Sequence, residues 1–187
     1  MFGLLTSEQL ERYDRDGCLL VSGLTPPGVI TTALETMWQA MEMDPSDQLT
    51  LGSPPDHVNA LIVFPTEGDW DWPKGHIDHS IREHGHKTFP KAFRIATMIY
   101  LNNVEPQSGG TIVWPGSHRQ IHALAESDPD RYEYMWMHGD EVAEMDFGQP
   151  ADLSPRCGDV LFYQDLCFHS GSKNMRTEPR FAFNHKW

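Results

Sequence analysis

Long apolar segments are absent from this sequence. Its longest hydrophobic runs, at positions 60–64 and 93–101, have the length of β-strands, whereas a membrane-spanning helix needs roughly 20 apolar residues. The first residues contain no basic group ahead of an extended apolar stretch, so they lack the pattern of a secretory signal peptide. These absences argue against a membrane partner and favour a cytoplasmic protein.

Cysteine is scarce as well. The chain has 3 cysteines in 187 residues, Cys18, Cys157 and Cys167, and their spacing matches neither a zinc site nor a disulfide framework. A sparse, odd-numbered set of thiols is typical of a reducing compartment, where such residues act as small buried groups. This feature also favours the cytoplasm.

Basic residues are few relative to acidic residues. The 14 Lys and Arg residues stand against 27 Asp and Glu residues, a formal net charge of −13 at pH 7. No basic stripe can neutralise phosphates at this balance, which excludes nucleic acid as a partner. Between Glu126 and Asp146 there are eight acidic residues and one basic residue, Arg131. A cluster of basic residues lies elsewhere and comprises Lys74, Arg82, Lys87, Lys91 and Arg94.

Two interpretations of this uneven charge stay open. In the first, the acidic and basic groups form two solvated surfaces of opposite charge. In the second, the basic cluster forms a positively charged entrance to a binding site, a positive mouth. A positive mouth would attract an anionic co-substrate and an anionic small-molecule substrate.

Two helices and a strand are predicted at the amino terminus. Thr6 and Gln9 have the spacing of a capping box, and Gly17 is a suitable end for this first helix. Residues 18–21 follow as a short strand. After Pro26, apolar residues at helical spacing predict a second helix that packs on a flat surface. Its apolar face contains Ile30, Leu34, Met37, Trp38 and Met41.

From position 60 onward the pattern changes to short strands that turn residues separate. The predicted strands are residues 60–64, 75–78, 93–101, 111–114, 159–163, 167–170 and 180–184. The acidic segment 126–147 interrupts them and is expected to be partly helical. Helices followed by seven or eight strands indicate a mainly β fold, a β-sandwich or jelly roll with flanking helices. We expect one domain over 1–187, in which 1–58 hold the helices and first strand and 59–187 form the jelly-roll core.

The tripeptide His76-Ile77-Asp78 is the strongest chemical signal. Alternate residues of a strand share one face, so the His76 and Asp78 side chains point the same way from Cα atoms roughly 6.5–7 Å apart. A third ligand from a distant strand, His169, would complete a face of two imidazoles and one carboxylate. That arrangement leaves open positions and is typical of non-haem Fe(II) oxygenases. Two histidines and an acid also serve zinc hydrolases.

Four stretches in the right order give the chain a family resemblance. They are residues 5–21, His76-Ile77-Asp78, residues 101–119 with the turn Pro115-Gly116-Ser117-His118, and residues 158–180. In these stretches the chain resembles the phytanoyl-CoA dioxygenase family of Fe(II)- and 2-oxoglutarate-dependent oxygenases. The resemblance implies a double-stranded β-helix, a jelly-roll relative of the cupins.

The resemblance also implies roles for particular residues. His76, Asp78 and His169 would bind Fe(II), and Arg180, 11 residues after His169, would bind the distal carboxylate of 2-oxoglutarate. A guanidinium suits this role because it offers two parallel donors to a carboxylate. Thr97 is a further candidate for a hydrogen bond to 2-oxoglutarate.

The implied reaction is hydroxylation of a C–H bond in a small organic metabolite. The co-substrates would be 2-oxoglutarate and O₂, with ascorbate in support, and the co-products succinate and CO₂. Halogenating relatives lack the carboxylate that this chain has at Asp78, so Asp78 favours hydroxylation.

Two departures from the family pattern accompany this expectation. The residue before His76 is Gly75, where relatives often have a bulky aromatic residue, and Trp72 is the expected substitute. Trp187 lies only 7 residues after Arg180, which motivates a second hypothesis, a metal- and 2-oxoglutarate-binding module without turnover.

Overall fold

Eight antiparallel strands form two sheets in the computed structural model, which describes residues 5–42, 60–78, 80, 82–89 and 95–186. The strands are β1 (Cys18–Val21), β2 (Leu61–Val63), β3 (Ile95–Tyr100), β4 (Thr111–Val113), β5 (Ala151–Asp152), β6 (Val160–Gln164), β7 (His169–Gly171) and β8 (Arg180–Lys186). Five of them make one sheet in the order β1-β6-β3-β8-β2, and three make the other in the order β5-β4-β7. This is the predicted mainly β architecture of two packed sheets.

The helices lie in the connections between strands. They are α1 (Ser7–Asp16), α2 (Pro27–Ala40), α3 (Ser117–Ser127) and α4 (Gly139–Glu144), with 3₁₀ turns at Arg82–His84 and Met135–His138. Among the described residues, none of the helices has both the length and the apolarity that crossing a membrane requires.

The capping predictions for α1 are confirmed. The Thr6 backbone N–H donates to the Gln9 side chain at 2.8 Å, and the Gln9 backbone N–H donates to Thr6 Oγ1 at 3.2 Å. The helix ends at Gly17, whose φ of +74° favours glycine. A Cβ there would also lie 2.3 Å from the ring of His118. Both the backbone conformation and the lack of space therefore require glycine at the end of this helix.

Helix α2 covers the outer face of the five-stranded sheet. Ile30 and Met37 are buried, and the Trp38 ring packs edge-on against Phe181 with centroids 4.7 Å apart. Phe181 and Ile99 belong to the same apolar cluster, so the predicted flat partner of this helix is the sheet itself. Strand β1 joins that sheet by pairing with β6, so the amino-terminal part contributes directly to the jelly roll.

Some sequence predictions are confirmed, some need correction, and others fall outside the described residues. Residues 75–78 form no strand but one isolated bridge at His76. Helix α3 was not predicted, although its buried Ile121 and Ala125 have helical spacing. The acidic segment 126–147 is partly helical, as expected. Lys91 and Arg94 of the basic cluster fall outside the described residues, as does the start of the predicted strand 93–101.

Candidate metal centre

His76 and His169 lie side by side because their backbones pair. His76 N–H donates to the His169 carbonyl at 2.8 Å, and His169 N–H donates back to the His76 carbonyl at 3.0 Å. This reciprocal pair continues the edge of the three-stranded sheet past β7. It brings the two imidazole rings to 4.5 Å between centroids.

Asp78 completes the cluster. Its Oδ1 lies 3.9 Å from Nε2 of His169, and one ligand atom from each of the three residues lies within 4.8 Å of the others. Asp78 and His169 are buried, whereas His76 is exposed. Three atoms at this spacing can contact one ion from one side, and two imidazoles with one carboxylate suit Fe(II).

The surroundings of His169 orient its ligand atom. Nδ1 of His169 lies 2.8 Å from the carbonyl oxygen of Cys167. A carbonyl only accepts hydrogen bonds, so Nδ1 carries the proton and Nε2 keeps its lone pair. Such a second hydrogen bond is how proteins fix the tautomer of a metal-binding histidine.

The turn at Pro115-Gly116-Ser117 supports the same strand. The Phe168 N–H donates to Oγ of the fully buried Ser117 at 2.9 Å, and the Trp114 N–H donates to the Phe168 carbonyl at 3.0 Å. These bonds hold the backbone immediately before His169. The motif that carried part of the family resemblance therefore positions a candidate ligand.

A cavity of about 530 Å³ opens over the three candidate ligands. Its wall on the five-stranded sheet consists of side chains at alternate positions, because successive residues of a strand face opposite sides. The lining residues are Leu61, Val63, His76, Asp78, Met98, Thr111, Tyr163, His169, Ser170, Gly171, Arg180 and Asn184.

Arg180 enters this cavity from β8 and is only 4% exposed. Its Nε donates to the Gly109 carbonyl at 2.8 Å, while the buried Nη1 makes no hydrogen bond with any described residue. Burial lowers the pKa of Arg180, but a guanidinium stays protonated in proteins. The cavity thus contains a fixed positive charge with a donor to spare, which suits a carboxylate.

The structure corrects the expectation for Thr97. Its hydroxyl donates to the His185 carbonyl at 3.3 Å, and Thr97 is not among the residues that line the cavity. Its neighbour Met98 lines the cavity instead. Since side chains alternate along β3, Thr97 faces away from the candidate ligands.

Tyr163 and Asn184 are cavity residues that sequence reasoning missed. Asn184 Nδ2 donates to the Tyr163 hydroxyl at 2.9 Å, and the Tyr163 ring lies 4.6 Å from that of His169. Alternation along β8 was a usable signal, because positions 180, 182 and 184 share one face. Tyr163 could be found only from the pairing of β6 with β3.

The expected role of Trp72 is also corrected. Trp72 is 52% exposed and packs against Trp70, with ring centroids 4.8 Å apart. The aromatic ring beside Gly75 comes from Phe168 instead: a Cβ on Gly75 would lie 2.3 Å from that ring. The missing side chain at position 75 leaves the space in which Phe168 packs.

The basic cluster does not reach the cavity within the described residues. Lys87 binds Glu133 at 2.8 Å, and the Arg82 guanidinium lies 4.7 Å from the Trp136 ring centroid. Both therefore contact the acidic segment, and neither lines the cavity. The expectation of an anionic substrate loses this support.

The profile of the phytanoyl-CoA dioxygenase (PhyH) family matches residues 71–182, which include all three candidate ligands and Arg180. The chain belongs to this family. Membership confirms the resemblance in the motifs, and it confirms the predicted dependence on Fe(II), 2-oxoglutarate and O₂. A comparison with curated proteins finds no match.

Solved structures of similar fold confirm the double-stranded β-helix. EvdO2 from Micromonospora carbonacea var. aurantiaca, complexed with 2-oxoglutarate, has a TM-score of 0.65 at 13% identity, over 100% of this chain and 91% of that one. EctD from S. alaskensis, with 2-oxoglutarate and 5-hydroxyectoine, has a TM-score of 0.61 at 13% identity, and the match covers 97% of this chain and 75% of EctD. The carbocyclase SnoK from nogalamycin biosynthesis has a TM-score of 0.60 at 15% identity, and the match covers 96% of this chain and 82% of SnoK.

Proposed function

We propose that the protein is an Fe(II)- and 2-oxoglutarate-dependent dioxygenase that hydroxylates a C–H bond of a small organic metabolite. The observation that carries this proposal is the shared cavity, in which His76, Asp78 and His169 can contact one ion and Arg180 offers an unused donor. Bound Fe(II), with 2-oxoglutarate and O₂, would supply the oxidising chemistry and release succinate and CO₂.

Arg180 would hold the far carboxylate of 2-oxoglutarate. Nε of Arg180 donates to the Gly109 carbonyl, and the buried Nη1, which makes no hydrogen bond with any described residue, is available for binding. A buried cation with an orphaned N–H is costly on its own, and a carboxylate would relieve that cost with charge-assisted hydrogen bonds. This gives the co-substrate one fixed orientation in the cavity.

The rest of the wall would place the substrate and keep water away. Leu61, Val63 and Met98 give the cavity apolar surface, and an oxidation of this kind needs the reacting C–H bond close and bulk water excluded. The carboxylate of Asp78 occupies the position at which a halogenase would need room for halide, so hydroxylation is the proposed outcome. Proteins of similar fold include a carbocyclase and an epimerase from nogalamycin biosynthesis, SnoK and SnoN, so analysis of the product is essential.

The test measures succinate formed from 2-oxoglutarate by protein loaded anaerobically with Fe(II) and then exposed to O₂, over a chemically diverse substrate panel with ascorbate. His76→Ala and Asp78→Ala should abolish succinate. The matched controls are His122→Gln on helix α3 and Asp71→Asn on an exposed loop, neither of which lines the cavity, and both should retain activity.

Three results would contradict the proposal. Activity that survives in Asp78→Ala would remove the role given to that residue. Tight binding of metal and 2-oxoglutarate without succinate across the panel would instead identify a binding module without turnover. Stoichiometric zinc with turnover that does not depend on O₂ would identify a hydrolase.

A further inference from the structure

The two ends of the cavity differ in the groups they present. At one end Arg180 lies near Tyr100, whose hydroxyl donates to Thr111 Oγ1 at 2.7 Å. At the other end Asn184 donates to Tyr163, whose ring packs against His169. Arg180 and Asn184 lie four residues apart on β8, and therefore about 13 Å apart along the strand. The candidate ligand His169 belongs to the Tyr163 end.

The hydroxyl proton of Tyr163 has no acceptor among the described residues. With the Asn184 amide in its present orientation, the phenol oxygen accepts the Asn184 N–H at 2.9 Å, and Tyr163 makes no other hydrogen bond there. Tyr163 is 1% exposed, so bulk water does not satisfy this donor. A buried O–H without an acceptor is unfavourable, and it lies in a cavity built for a bound molecule.

The phenol carries its proton at neutral pH, because the ordinary pKa of a tyrosine side chain is about 10. Tyr163 therefore acts at this end of the cavity as a neutral donor. The other hydroxyl of the cavity wall on β7, Ser170, already donates to the Gly171 carbonyl at 3.2 Å.

We propose that Tyr163, oriented by Asn184, donates a hydrogen bond to the carboxylate of 2-oxoglutarate that binds at the metal end of the cavity. This inference rests on the proposed function. A dicarboxylate whose far end binds Arg180 must bring its other carboxylate toward His76, Asp78 and His169. The second oxygen of that carboxylate needs a donor, and the Tyr163 hydroxyl is the unused one beside His169. Tyr163 is thus a positioning residue for the co-substrate, and Asn184 acts through it.

The test titrates 2-oxoglutarate anaerobically into the Fe(II) protein and follows the visible charge-transfer band of the complex, which needs no turnover. Tyr163→Phe removes only the hydroxyl, and it should weaken 2-oxoglutarate binding about tenfold or more, as expected for a hydrogen bond to a charged acceptor. Fe(II) affinity, measured separately, should stay within about twofold. Tyr132→Phe changes another buried tyrosine, one that does not line the cavity, and serves as the matched control.

Asn184→Leu provides a second, independent variant. It should also weaken 2-oxoglutarate binding, and the double variant Tyr163→Phe/Asn184→Leu should be no weaker than Tyr163→Phe, because Asn184 acts through the phenol. Additive losses in the double variant would show that Asn184 acts on 2-oxoglutarate independently of the phenol.

The possible outcomes separate this inference from the proposed function. If the unaltered protein binds no 2-oxoglutarate, both are overturned. If it binds 2-oxoglutarate and Tyr163→Phe binds it equally well, only the role of Tyr163 is overturned. A parallel loss of Fe(II) affinity in Tyr163→Phe would overturn the role as well, since the residue would then support the metal site itself.

Discussion

The ring of Phe168 occupies the space in which a side chain at Gly75 would lie. A Cβ on Gly75 would be 2.3 Å from Cε1 of that ring, and Phe168 is packed between Trp114 and Phe147, with ring centroids at 5.0 and 4.7 Å. Gly75 immediately precedes His76, and Phe168 immediately precedes His169. The contact therefore sets how closely the two candidate ligand segments approach each other.

Gly75→Ala should weaken both metal binding and folding. The Phe168 ring cannot move away without disturbing its neighbours, and overpacking of this kind costs about 1–3 kcal/mol. We expect a lower free energy of unfolding in denaturant and a lower Fe(II) affinity. Gly139→Ala is the control, because a Cβ at Gly139 meets no atom within 4 Å. Equal metal affinity for Gly75→Ala and the unaltered protein would show that the backbone pair of His76 and His169 tolerates a methyl group at position 75.

Arg180→Lys should weaken 2-oxoglutarate binding by about a hundredfold, because a lysine cannot reproduce the forked contact of a buried guanidinium. Fe(II) affinity should not change, since Arg180 is not one of the three candidate ligands. Calorimetric titration of both ligands checks this prediction. Arg119→Lys is the control, because Arg119 forms an exposed pair with Asp14. A small effect at Arg180 would mean that another group binds the far carboxylate.

Lys87→Gln should leave 2-oxoglutarate affinity within about twofold. Lys87 pairs with Glu133 on the surface, and exposed pairs of this kind contribute little. The same calorimetric titration, repeated at low and high salt, compares this variant with the unaltered protein. A tenfold loss that disappears at high salt would restore the alternative of a positive mouth.

The buried His138 should make stability depend on pH. Its Nδ1 donates to the Met135 carbonyl at 3.1 Å, its Nε2 is buried without a described partner, and burial lowers its pKa. The folded state therefore disfavours the charged form. The contribution of neutral His138 to the free energy of unfolding is complete above the unfolded-state pKa of about 6.5. This contribution is lost as the pH falls from there through the lower folded-state pKa.

Urea unfolding of the unaltered protein and of His138→Gln, between pH 7.5 and 5, measures this effect. The difference between their free energies of unfolding should shrink as the pH falls, by at most about 1.4 kcal/mol per pH unit for one proton. His122→Gln, on helix α3 and paired with Glu126, should not show the same trend. Parallel curves for His138→Gln and the unaltered protein would contradict the assignment.

Local chemistry determined much of what could be predicted. The capping box of Thr6 and Gln9, the stop at Gly17 and the apolar face of α2 depend on neighbours a few residues away. The order of motifs also indicated the family and the four residues that now share one cavity. These features need no knowledge of which strands pair.

The tertiary structure decided the features that depend on pairing across the chain. His76 and His169 are 93 positions apart, and only the two sheets bring their backbones into one hydrogen-bonded pair. Thr97 and Met98 are adjacent in a strand that packs on both faces, so nothing local indicates which of them faces the cavity. A shift of one residue exchanges the two faces of a strand, and pairing with β6 and β8 sets that choice. The same pairing places Asn184 beside Tyr163, which no local pattern in the sequence could indicate.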